Sequence, residues 1–229
     1  MGRRKRLTRR KRALVWCLVL ALTAGLGGLQ FRYLSYWGPI REAENEGGVG
    51  KTAWLMDLPL ESYLDGGRRM LRGNEKALMA VTIRSWDFTY GWRISDQAYL
   101  DCTPPTVLHA AVQNLGISRN GEDEAGLDME LFGRVEDPAG DRVRLELFWR
   151  PEMPDKLGEP QILETVEVPK LDWVKREGMT CFARQFVIPY PEGGGEIRAR
   201  FTLLDWAGEE LETREYPMKW HFIGGSEYF

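Results

Sequence analysis

Apolar residues are distributed along this chain in two different patterns, and each predicts a different element. From Ala13 to Phe31 the run ALVWCLVLALTAGLGGLQF carries no charge, so it predicts one helix apolar on every side. At 1.5 Å per residue its nineteen residues reach roughly 28 Å, close to the thickness of a bilayer's hydrocarbon layer. From Leu78 onward the period drops to two. Met79, Val81 and Ile83 alternate with Ala80, Thr82 and Arg84, and Leu108, Ala110 and Val112 alternate with His109, Ala111 and Gln113. Leu127, Met129, Leu131 and Val135 predict a strand, as do Val143, Leu145, Leu147 and Trp149, with Asp137-Pro138-Ala139-Gly140 as the turn of a hairpin between them. Ile197, Ala199, Phe201 and Leu203 predict another strand, which turns at Asp205-Trp206-Ala207-Gly208 and returns through Tyr216, Met218, Trp220 and Phe222 as a second hairpin. With Ile162–Val168 and Phe182–Ile188 the total is seven or eight strands, each with one polar face. That pattern describes an antiparallel two-sheet sandwich of immunoglobulin-like type over 78–229.

The stretches before residue 78 are less regular. GPIREAENEGGVGK, Gly38 to Lys51, is polar and glycine-rich, so 32–52 is expected to be a linker. In 53–77, Leu55, Leu58, Leu60, Tyr63 and Leu64, then Met70 and Leu71, predict two short helices broken at Gly66-Gly67, or an irregular segment. Glu46 to Thr52, EGGVGKT, resembles the phosphate loop of ParA-type P-loop ATPases over seven residues. Asn45 stands where the pattern needs its first glycine, Glu46 replaces the family's signature lysine, and no buried strand precedes the motif, so nucleotide binding is not expected.

Charge changes what the apolar helix implies. Eight of the 31 basic residues lie between Arg3 and Arg12, in a basic tail (1–12) directly before the apolar segment, while residues 32–229 hold 23 basic against 34 acidic side chains, a net of −11. Basic flanks stay on the cytoplasmic side, which predicts a single-pass topology with the N-terminus inside and the bulk of the chain periplasmic or extracellular. A basic start, an apolar centre and small residues at Ala24, Gly25, Gly27 and Gly28 also describe a cleaved signal. Segment length, and Phe31, Tyr33, Tyr36 and Trp37 placed as an interfacial aromatic belt, favour a retained anchor at 13–31. So acidic an external part excludes nucleic acid as a natural partner.

Cysteine and aromatic placement supply the candidate sites. Cys17 lies within the apolar segment, leaving Cys102 and Cys181 as the external pair for a disulfide, with two unpaired buried thiols as the alternative. His109 and His221 have no ligand-type neighbour at motif spacing, so no metal and no cofactor are predicted. Trp86, Phe88, Tyr90 and Trp92 are two apart and share one face of any strand they form. That face is either core or a platform for a protein partner or a glycan ring. No hydrolase elbow or nucleophile pairing is visible. The expectation is therefore a non-enzymatic structural or interaction component of an envelope or surface assembly, with a glycan-binding module, or an enzyme whose site leaves no linear trace, as alternatives.

Overall fold

The computed structural model describes residues 9–59, 67–85, 91–119, 125–153, 156–157, 159–189, 191 and 195–218. Two helices come first, α1 (Arg9–Leu34) and α2 (Trp37–Glu46), then β1 (Ala53–Leu58), β2 (Gly67–Gly73), β3 (Ala77–Ser85), β4 (Trp92–Asp101), β5 (Leu108–Arg119) and β6 (Ala125–Val135). The chain continues through β7 (Arg142–Met153), β8 (Lys156–Leu157), β9 (Gln161–Pro169), a 3-10 turn (Lys170–Asp172), β10 (Val174–Arg176), β11 (Met179–Pro189), β12 (Gly195–Leu204) and β13 (Glu210–Pro217). Among the described residues the protein is mainly β, with strands that form three antiparallel sheets. Their orders are β1-β2-β3-β4, β10-β11-β6-β5 and β13-β12-β7-β8, with β9 also on β7. Two compact units result: 1–51, 60–69 and 81–97 form one, and 52–59, 70–80 and 98–229 form the other.

In the smaller unit the apolar segment is helical as expected. Its described side chains, Thr23 apart, are apolar, and they are exposed on all sides, among them Leu14, Trp16, Leu20 and Leu26. Among the described residues no helix is long and apolar enough to cross a membrane. The expected linker departs from expectation, because Trp37–Glu46 is helical and buries Ile40 and Ala43 completely, with Pro39 tolerated in the first turn. Ile40 and Ala43 lie three apart, a one-turn apolar contact too short to stand out against the glycines that follow.

The larger unit is built on its middle sheet. Odd positions of β6 (Leu127, Met129, Leu131, Val135) face β7, β9 and β12 across a core that includes Val143, Leu145, Leu147, Ile197, Phe201 and Leu203. Even positions were expected to meet water. Instead Phe132 packs with Cys181 and Met179 against Leu55, Leu58, Leu71, Leu78 and Cys102, so the middle sheet is covered on both faces. The covering layer includes β1 and part of β2, where helices were expected. β2 buries its last five residues, including Arg72, whose guanidinium donates to the Thr52 hydroxyl (3.0 Å) and carbonyl (2.5 Å). A side chain satisfied in this way lets a strand carry charge into the interior, and periodicity does not reveal it.

The two similar turns do different work. Asp205-Trp206-Ala207-Gly208 closes the hairpin expected between β12 and β13. Asp137-Pro138-Ala139-Gly140 closes no hairpin, because β6 and β7 belong to different sheets and the turn carries the chain across the core. Trp220 and Phe222, expected to extend the return strand, lie outside the described residues.

Candidate functional site

A groove of about 610 Å³ runs between β5 and β13 in the larger unit. It touches all seven residues from Leu108 to Asn114. Consecutive strand residues point to opposite faces, so a groove that meets seven in a row runs along a strand edge. Both strands are terminal in their sheets, and the groove is the open side of the sandwich. Ala110, Val112, Ala199 and Phe201 form an apolar floor, while His109, Gln113, Arg214 and Tyr216 bring polar groups to the rim. The small side chains of Ala110 and Ala111 leave the space open.

Glu212 ties the two edges together. Its Oε2 accepts the amides of Val107 and Leu108, each at 2.9 Å, and its Oε1 accepts Arg214 Nε at 2.5 Å. Burial works to raise its pKa, but the donors Arg214, Leu108 and Val107 together hold it below the usual carboxylate range. Arg214 also donates to the Tyr216 hydroxyl at 3.3 Å. His109 is buried on β5, its Nε2 3.5 Å from the Thr106 hydroxyl, which donates to Leu108 O. Burial depresses its pKa, and Arg134 and Arg214 add to that while Glu136 and Glu212 oppose it. Asp101, exposed at the groove's end, is held low by the main-chain and side-chain donors of Thr103. A neutral imidazole, an ion-paired guanidinium and a phenol above an apolar floor can hydrogen-bond a bound chain or ligand while the floor takes its apolar groups.

The residues singled out from the sequence fare differently. Trp86, Phe88 and Tyr90 lie outside the described residues, and Trp92 opens β4 half-buried. Cys102 and Cys181 meet in one core cluster as two free thiols, the second of the two arrangements open to them in sequence. Burial pushes them up to about 11 and about 12, with Arg134 opposing in each case, so both act as small apolar core groups. Gly48 and Gly50 of EGGVGKT have positive φ in a loop that follows a helix and precedes a strand, the reverse of a phosphate loop's order. Among the described residues no group of three or more His, Cys, Asp or Glu could hold a metal ion. Sequence patterning does not single out Glu212 and Arg214. The available signal is two charged residues at the same parity as Tyr216 and Met218, which border the groove.

No protein-family model matches the chain, and no curated protein does. Among solved structures, β-glucuronidase 2 of Bacteroides uniformis, covalently bound to cyclophellitol-6-carboxylate aziridine, is similar at 12% identity and a TM-score of 0.26, too low to carry any argument. The match covers 72% of this chain and 26% of that one, so the chain spans about a quarter of its length.

Proposed function

We propose that the protein is a membrane-anchored, extracytoplasmic β-sandwich component of an envelope or surface assembly, acting by binding a protein partner rather than by catalysis. The observation that carries this reading is α1, whose side chains Leu14, Val15, Trp16, Leu18, Val19, Leu20, Leu22 and Leu26 are 43–67% exposed around the whole circumference. A helix apolar on all sides is stable only where lipid or protein covers it. The basic run before it supports an orientation with the β-rich part outside. The groove between β5 and β13 supports the binding role, since unpaired strand edges and an apolar floor suit an extended peptide segment.

Carbonate extraction of membranes from cells expressing the full chain, followed by protease treatment of sealed cells or spheroplasts, tests the anchor. The chain is expected to stay in the membrane pellet and to lose its β-rich part to external protease. Release into the supernatant, or full protection from protease, would refute the anchored topology. Tyr216→Ala tests the groove: crosslinked partner recovered with the full chain should fall about tenfold while the melting temperature holds.

A further inference from the structure

Three turns at one end of the larger unit are joined through their main chains. Asp141 N donates to Leu204 O at 2.8 Å, and Lys170 N donates to Asp141 O at 2.6 Å. Register sets their spacing. Pro169, Arg142 and Leu204 are cross-strand neighbours in the third sheet, so the ends of β9 and β12 stand roughly 10 Å apart, two strand spacings. Two residues past each end a large apolar side chain enters solvent: Leu171 is 85% exposed and Trp206 is 80% exposed. Pro138 and Ala139, both exposed, lie on the turn between them.

The fold has no use for these side chains. The turn at Trp206 is held by Asp205, which accepts the amides of Ala207 and Glu209, and by Gly208; the corresponding position of the sister turn is Pro138. Leu171 and Trp206 belong to neither core cluster. A depression of about 440 Å³, lined by Pro138, Lys170 and Trp173, lies on the turns at Pro138 and Lys170, next in the chain to Leu171. The surrounding charge is one-sided. Asp137, Asp141, Asp172, Asp205, Glu209 and Glu210 stand on these turns or beside them, against Lys170 and Arg142. Arg142 is shared with Glu167 and Asp141, Asp172 lies 4.0 Å from Arg184, and Lys175 also lines the depression.

We propose that this end is a protein-docking surface, with Leu171 and Trp206 as paired anchors, for a partner segment whose apolar side chains are framed by Lys or Arg. Charge complementarity picks the occupant: an acidic rim favours a basic frame and repels anionic lipid headgroups. Exposed anchors on turns fixed by a rigid sheet match the way binding energy concentrates in a few large side chains. The surface is separate from the β5–β13 groove, and either can fail without the other.

The test uses the full chain in lipid nanodiscs, a fluorescent 14-residue peptide of leucine and lysine, and a matched peptide of leucine and glutamate. The leucine–lysine peptide should bind, and its affinity should fall about tenfold between 50 and 500 mM salt. Leu171→Ser with Trp206→Ser should weaken it a further tenfold or more at unchanged melting temperature. Equal binding of both peptides, no binding of the basic one, or no effect of the double variant would overturn the proposal. So would co-flotation of the nanodisc-held chain with added vesicles, neutral or anionic, which would make the surface a membrane contact. A drop of several degrees in the variant's melting temperature would make the residues structural and also overturn it.

Discussion

Glu212 shows at the scale of one residue how the open side of the sandwich keeps its width. Three donors hold its carboxylate ionised, so the unfolded chain takes up a proton there at higher pH than the folded one. Its stabilisation is therefore complete above the ordinary glutamate range and is lost as pH falls through the depressed folded value. Glu212→Gln should melt lower than wild type at pH 7, and the two curves should converge as pH is taken from about 5 toward 3. His109 acts higher on the pH scale. Its lowered folded pKa means the unfolded state also binds the proton first, so stability should decline as pH falls below about 6.5. His109→Gln should flatten that decline between about pH 6.5 and 5, which thermal melts across the range can measure. Parallel curves for wild type and His109→Gln would show that the buried imidazole does not titrate in this window.

Two turns of nearly the same sequence separate at the scale of the element. In both, the aspartate accepts the amide two residues on, Ala139 at 2.8 Å and Ala207 at 2.9 Å. Only Gly208 has positive φ, at 86°, with open space around it, whereas Gly140 is buried with Leu203 Cδ1 2.9 Å from where a Cβ would stand. Gly208→Ala should cost about 1 kcal/mol through backbone strain alone. Gly140→Ala should cost more only if Leu203 cannot move. Paired denaturant melts measure the difference, and a neutral Gly208→Ala would mean that the hairpin relaxes its turn. The sequence shows that Asp-Pro-Ala-Gly and Asp-Trp-Ala-Gly are turns, because their chemistry is local. Whether the strands on either side pair with each other depends on which sheet each one joins, and no residue in the turn records that. β1 and β2 do not read as strands in sequence for a related reason, and Leu60, Tyr63 and Leu64 of the expected helical or irregular segment lie outside the described residues. The burial of β1 and β2 comes from a second layer on the middle sheet and from Arg72 satisfied by Thr52, contacts made between segments distant in sequence.

For the molecule as a whole, the middle sheet carries the larger unit. Phe132 is fully buried between β-layers, and Phe132→Ala should cost roughly 3–5 kcal/mol, read as a lower denaturant midpoint at constant slope. Cys102 and Cys181 lie in the same layer. Thiol labelling should miss both in the native protein, and should find them with Cys17 after denaturation without reductant. Labelling of Cys17 alone after denaturation would mean that the protein in hand carries the bond. The Arg–Glu pairs on the outer face of the third sheet, such as Arg144 with Glu167 at 2.8 Å and Arg198 with Glu215 at 2.7 Å, are half-exposed and screened, so single removals should each shift stability by less than about 1 kcal/mol.

By itself the sequence determined that the chain is mainly β, where its longest apolar helix lies, and which residues of β5, β6, β7 and β12 face the main core. Those features follow from period and turn chemistry, both local. Tertiary structure alone decided that Asp128 and Glu130 leave water although their strand alternates as a surface strand would. Glu130 accepts Gln113 at 2.8 Å and Gln185 at 3.2 Å, so a carboxylate at a polar position becomes interior once a further layer, which includes β1 and part of β2, covers that face. It also decided that the free edges of β5 and β13 border one groove bound by Glu212, and that Leu171 and Trp206 share one end of the larger unit. Such placements depend on strand order and register between distant segments, and alternation within a single strand carries no information about its neighbour.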